Sequence, residues 1–135
     1  MSKILKFRAW YEQGGYMMPV EEIDFNHVMI NKSSIWRWFN EVELMQYTGL
    51  KDKNGVDIYE NDLLKCTCKI YTNFGSTETG EYDETIKQVI WKDDGWGTRV
   101  ISSNLTGKGA EKSGLVTTAK YAEVIGNIYE NPELL

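Results

Sequence analysis

A chain of 135 residues and 15.6 kDa suits one domain, or one domain with a small appended lobe. With 41% hydrophobic and 13% aromatic residues it can bury a core, which sets it apart from disordered chains. A net charge of −5 and a pI near 4.9, with Lys and Arg scattered as at Lys65, Lys69, Lys87 and Arg99, argue against a nucleic-acid surface, and the mixed charges are too dilute for a DNA mimic.

Residues 3–11 alternate, with Leu5, Phe7, Ala9 and Tyr11 on one face and Lys6, Arg8 and Trp10 on the other, the pattern of a first strand. Gln13-Gly14-Gly15 turns the chain. Short extended pieces follow at Tyr16–Met18, Ile23–Phe25 and His27–Ile30, separated by Pro19 and Asn26. Asn31–Ser34 is a further turn, and Ile35-Trp36-Arg37-Trp38-Phe39 reads as a strand or a single helical turn. No segment keeps a 3.6-residue period, so helix content is low.

Between Glu43 and Thr48 the alternation of Glu43, Met45 and Tyr47 with Leu44, Gln46 and Thr48 predicts a strand with two different faces. Asn54-Gly55 then signals a tight turn, because both residues tolerate positive φ. Ile58-Tyr59 enters the next strand and Asn61-Asp62 offers side-chain oxygens to another turn.

From about residue 56 the pattern becomes that of a small β-barrel. Leu63–Tyr71 is a strand, with Leu64, Cys66, Cys68 and Ile70 on one face. The two cysteines read as buried reduced thiols, since His27 is the only histidine and no further metal ligands lie nearby. Thr72–Glu84 reads as a long polar loop, Thr85–Trp91 as a strand and Lys92-Asp93-Asp94-Gly95 as a hairpin turn into the strand Trp96–Ile101. Ser102–Gly114 is a second long loop, and Leu115–Thr117 and Tyr121–Ile125 are the remaining short strands. Ile58-Tyr59-Glu60-Asn61 recurs as Ile128-Tyr129-Glu130-Asn131; four residues make two similar turns rather than a duplication.

Five pieces, taken in order, resemble the YopX family of small proteins encoded by phages and prophages of Gram-positive bacteria. They are Lys6–Trp10, Glu43–Gly55, Ile58–Asp62, Val89–Trp91 and Glu123–Leu135. Asn61 stands where the family's Tyr-Glu-Gly-Asp more often has glycine, and Asn also accepts positive φ. The resemblance implies a mainly β fold with little helix, in which an N-terminal β lobe (residues 1–50) packs on a C-terminal part similar to an SH3-like barrel (residues 51–135). It also implies a phage or prophage protein of the bacterial cytoplasm, and it supplies no catalytic residues.

The chemistry in the residues agrees with a protein that is no enzyme. Nucleophile-elbow, zincin and P-loop motifs are all missing. His27, among Asn26, Val28 and Met29, reads as structural, and Asp83-Glu84 and Asp93-Asp94 as solvated turn-formers. The spacing of Asp52, Asp57 and Asp62 does not match a Ca²⁺ loop. No catalytic residue, metal ligand or cofactor is therefore expected. No apolar run approaches the ~20 residues needed to span a bilayer, and Lys6 and Arg8 interrupt the N-terminal apolar residues, so no signal-peptide core is expected and the cytoplasm is.

The candidate binding residues are Tyr71, Trp91, Asp93, Asp94 and Trp96, an aromatic and acidic groove for a partner segment carrying Lys or Arg. The competing reading has both Trp side chains covering the core across one hairpin. The expected function is that of an accessory protein binding a host or phage protein. Two alternatives are a single-stranded nucleic-acid binder that stacks bases on exposed aromatics, which charge disfavours, and a homo-oligomer built by pairing sheet edges.

Overall fold

The alternating patterns become strands almost throughout. The structure, a computed structural model, describes residues 5–30, 35–72, 75, 77–103 and 107–135. Its backbone divides into two compact units, Met1–Gly49 and Leu50–Leu135.

In the first unit β1 (Phe7–Tyr11), β2 (Tyr16–Ile23), β3 (His27–Ile30), β4 (Ile35–Trp38) and most of β5 (Val42–Lys51) are ordered β4-β3-β2-β1-β5; β6 (Asp57–Tyr59) completes the six-stranded sheet. Ala9, Tyr11, Val28 and Val42 form the core, with Met18, Val20 and Leu44 packed against it. Ile35–Phe39 is both of the predicted things in succession, since β4 runs directly into a 3₁₀ turn at Phe39–Glu41. β2 runs unbroken through Pro19, opposite Arg8, where a break was expected. Proline suits extended φ, and the strand loses only one ladder donor there.

In the second unit β7 (Asp62–Thr72), β8 (Thr77–Lys92), β9 (Gly95–Ser103), β10 (Glu111–Ser113) and β11 (Ala122–Asn127) pair antiparallel in the order β10-β9-β8-β7-β11. Ile58, Leu64, Cys66, Val89, Leu115, Ala119 and Ala122 make its core, joined by Leu50, Trp96 and Val124. Cys66 is a buried free thiol, as its place on the apolar face predicts; the side chain of Cys68 lies outside the described residues.

Four expectations change. The five strands form an open sheet ending at β10 and β11, and these pairings do not close a barrel. Most of the polar loop expected at Thr72–Glu84 belongs to β8, which pairs with β7 as far as Thr72↔Thr77. That stretch lacks apolar alternation because it is polar on both faces, and the register shift between Lys69 and Tyr71 lies across from Gly80, whose φ of +79° suits an irregular strand. Within the second loop, β10 pairs with β9. Leu115–Thr117 is the start of a helix, α1 (Leu115–Ala119), entered from Gly114 at φ +83°. Leu115, Thr118 and Ala119 are its buried residues, at helical spacing.

The turn after β5 is held by Asp52, whose side chain accepts backbone N–H groups from Asn54 (2.8 Å), Val56 (2.9 Å) and Val124 (2.9 Å). Burial pushes the Asp52 carboxyl up, but the N–H donors of Val124, Val56 and Asn54 outweigh it and hold the group below its ordinary value of 3.8. A carboxyl whose folded pKa is depressed stabilises the fold above its unfolded pKa and loses that contribution as pH falls through the folded one. Asp52→Ala should therefore cost about 2–3 kcal/mol at pH 7, read by denaturant unfolding, since three donors lose a charged acceptor. The gap between variant and wild type should narrow as pH drops below about 4. An equal gap at pH 7 and pH 2.5 would show that the ionised carboxylate is not what matters.

Candidate functional site

The hairpin between β8 and β9 places Trp91 opposite Trp96 and Lys92 opposite Gly95, leaving Asp93 and Asp94 at the exposed tip. Gly95 takes φ +143°, open to glycine and costly for other residues, so the tight turn depends on it. The Trp rings meet edge to face, with centroids 4.9 Å apart and planes at 76°. The two indoles then differ: Trp96 packs on the core, while Trp91 is 59% exposed. The two sequence readings thus divide between the partners, Trp96 covering the core and Trp91 facing solvent.

Beyond the hairpin, β10 lies along β9 with Glu111 opposite Arg99 and Ser113 opposite Gly97. A Cβ at Gly97 would meet the backbone carbonyl of Lys112, so only glycine lets β10 come this close. Glu111 accepts from Arg99 Nη2 at 2.8 Å and Nε at 3.0 Å, and from Lys92 Nζ at 3.4 Å. The Arg99 bonds first, then Lys92, hold the Glu111 carboxyl below its ordinary value of 4.5. Trp91, Asp93, Asp94, Lys92, Arg99 and Glu111 line a cleft of about 490 Å³. Both cations are turned onto Glu111, and with Asp93 and Asp94 the cleft holds three carboxylates against those two cations, so its balance is negative. An indole beside two such carboxylates suits a Lys or Arg side chain.

Four of the five sequence candidates are brought together here. The fifth, Tyr71, sits across from Glu78 near the far end of β8, away from the hairpin, and its side chain lies outside the described residues. Lys92, Arg99 and Glu111 escaped the sequence reading. Their only signal is the opposite charge of Arg99 and Glu111, with no spacing to link them, because Glu111 lay in a segment read as loop. Among the described residues no group of three or more His, Cys, Asp or Glu could hold a metal ion, and no helix is long and apolar enough to cross a membrane.

The sequence profile described as YopX protein matches residues 6–135. The chain belongs to the YopX family. It is similar in structure to the crystal structure of protein EF1440 from Enterococcus faecalis, with a TM-score of 0.60 and 25% identity over 99% of each chain. No curated protein matches it.

The segments that carry the YopX resemblance within the second unit are tied to one another. Val124 N–H donates to Asp52 and Ile128 N–H donates to Asn61 at 3.1 Å, while Lys53 N–H donates to Ala122, just before the last segment, at 3.0 Å. Those motifs thus hold the fold, and of the cleft's lining only Ile90 and Trp91 fall inside one. Trp91→Ala should cost about 1 kcal/mol, the worth of an edge-to-face pair. Trp96→Ala should cost about 3 kcal/mol, because it opens the core. Equal losses in chemical denaturation would mean that Trp91 is a core residue and no free contact.

Proposed function

We propose that this YopX-family chain is a non-enzymatic accessory protein of phage or prophage origin. In this reading it acts in the bacterial cytoplasm and binds a host or phage protein through the β8–β9 hairpin end. The observation that supports it is Trp91, largely exposed and set beside Asp93 and Asp94 on a cleft whose own cations are held by Glu111. Tryptophan is enriched among the residues that dominate protein interfaces, and a rim of carboxylates selects a partner segment bearing Lys or Arg. The net charge of −5 weighs against nucleic acid, whose phosphates need cationic neutralisation.

The test is affinity capture from host lysate, with and without nuclease, comparing wild type with Trp91→Ala and with Asp93→Asn/Asp94→Asn. The expected result is a stoichiometric protein that survives nuclease and is lost from both variants, with binding weakened about tenfold or more by Trp91→Ala. Capture equal in all three proteins would remove the hairpin from the reading. Material that disappears with nuclease would replace it with nucleic-acid binding.

A further inference from the structure

The first unit carries an exposed aromatic face that neither the hairpin cleft nor the core uses. β3 and β4 pair with His27 opposite Trp38 and Met29 opposite Trp36, so His27, Trp36 and Trp38 share one side of the sheet, and β4 is its end strand. The His27 ring centroid is 3.8 Å from that of Trp38 and 6.1 Å from that of Trp36. Trp38 is 54% exposed, and Phe25, in the turn before β3, is 98% exposed. A side chain that size left wholly in water two residues before the His27 ring, together with two exposed indoles, is more than scattered surface apolarity.

Two carboxylates flank the rings, and each is anchored through one oxygen. Asp24 Oδ1 accepts from Asn26 N–H at 2.8 Å and His27 N–H at 2.7 Å, and lies 3.3 Å from His27 Nδ1. Glu41 Oε1 accepts from Trp38 N–H at 2.9 Å, which folds the 3₁₀ turn back onto β4. Their second oxygens make no bond among the described residues. Arg37 does not neutralise them, because it pairs with Val28 on the opposite side and its guanidinium lies 4.2 Å from the Tyr11 ring centroid.

We propose that this face is a second binding site, for a cationic polypeptide segment. An arginine or lysine head rests on the open indole faces and pairs with the free oxygens of Asp24 and Glu41. Charge complementarity selects this occupant. Phosphodiesters and anionic headgroups would meet carboxylates where they need cations, and a second copy would set Asp24 and Glu41 against their own equivalents. The site is separate from the hairpin cleft and stands or falls without it.

The test titrates the full chain with an end-capped tetra-arginine peptide and follows backbone amides and indole N–H groups by NMR. Shifts should appear at Asp24–His27, at Trp36 and Trp38 and at Glu41, and persist in Trp91→Ala/Asp93→Asn/Asp94→Asn. The pair Asp24→Asn/Glu41→Gln, which keeps one acceptor oxygen per side chain and so the local folds, should weaken binding at these residues about fivefold. Trp38→Ala should weaken it as well. Shifts confined to residues 91–96 would overturn this site while leaving the hairpin reading intact. Undiminished binding by Asp24→Asn/Glu41→Gln, or equal response to tetra-glutamate, to oligothymidylate or to anionic lipid vesicles, would overturn it too.

Discussion

Three backbone N–H groups converge on the Asp52 carboxylate, and the second unit is organised around them. Two of the donors, Asn54 and Val56, belong to the turn that follows β5; the third, Val124, lies 72 residues away on the end strand β11. An end strand carries unpaired donors and acceptors that invite pairing with another chain. Here the turn occupies them: Val124 N–H goes to Asp52, and the Ala122 carbonyl takes Lys53 N–H. Asp52 is 7% exposed, so its charge is stabilised by directed dipoles rather than by water.

The same stretch of β11 explains the echo between the two Ile-Tyr-Glu-Asn segments. The register of β11 slips between Val124 and Gly126, and the chain then turns on Asn127, whose Oδ1 accepts from Tyr129 at 3.0 Å and Glu130 at 2.9 Å. The earlier copy turns on Asn61, at φ +67°, the one described non-glycine residue with positive φ. The turns meet where the Asn61 carbonyl accepts Ile128 N–H, and Asn61 N–H in turn donates to Val89 on β8 at 2.9 Å. The recurring residues are thus two turn solutions that fit against one another. Through Val89 they also brace the strand that ends in the hairpin.

What could be read in the sequence follows from the range of the interaction involved. The Asn54-Gly55 turn, the Lys92–Gly95 hairpin and the shared buried face of Leu64 and Cys66 on β7 each rest on residues a few positions apart, and each was legible. The polar half of β8 was not, because its partner in β7 supplies the order that its own composition lacks. α1 was missed since five residues are too short to show a period, and only the burial of Leu115, Thr118 and Ala119 reveals it. The Glu111 clamp and the Asp52 tie are long-range contacts, and a single sequence gives no pairing for them. At β4 the apolar run Ile35–Phe39 was visible, but strand and helical turn stayed open, and nothing local told which side of a sheet would be left exposed.

The acidic balance of the chain takes on a different meaning once each carboxylate has a place. Asp52 works inward, binding N–H groups and removing its charge from the outer field. Glu111 spends its charge on Arg99 and Lys92, which leaves the cleft beside Trp91 to Asp93 and Asp94. Asp24 and Glu41 do both, since one oxygen folds a turn and the other stays available beside an indole. A net charge of −5 therefore does not describe a uniformly negative surface. Its outward-facing share beside open indoles is concentrated at two places, one in each unit, where the ring can hold the stem and charge of a basic side chain and the carboxylate can pair with its head.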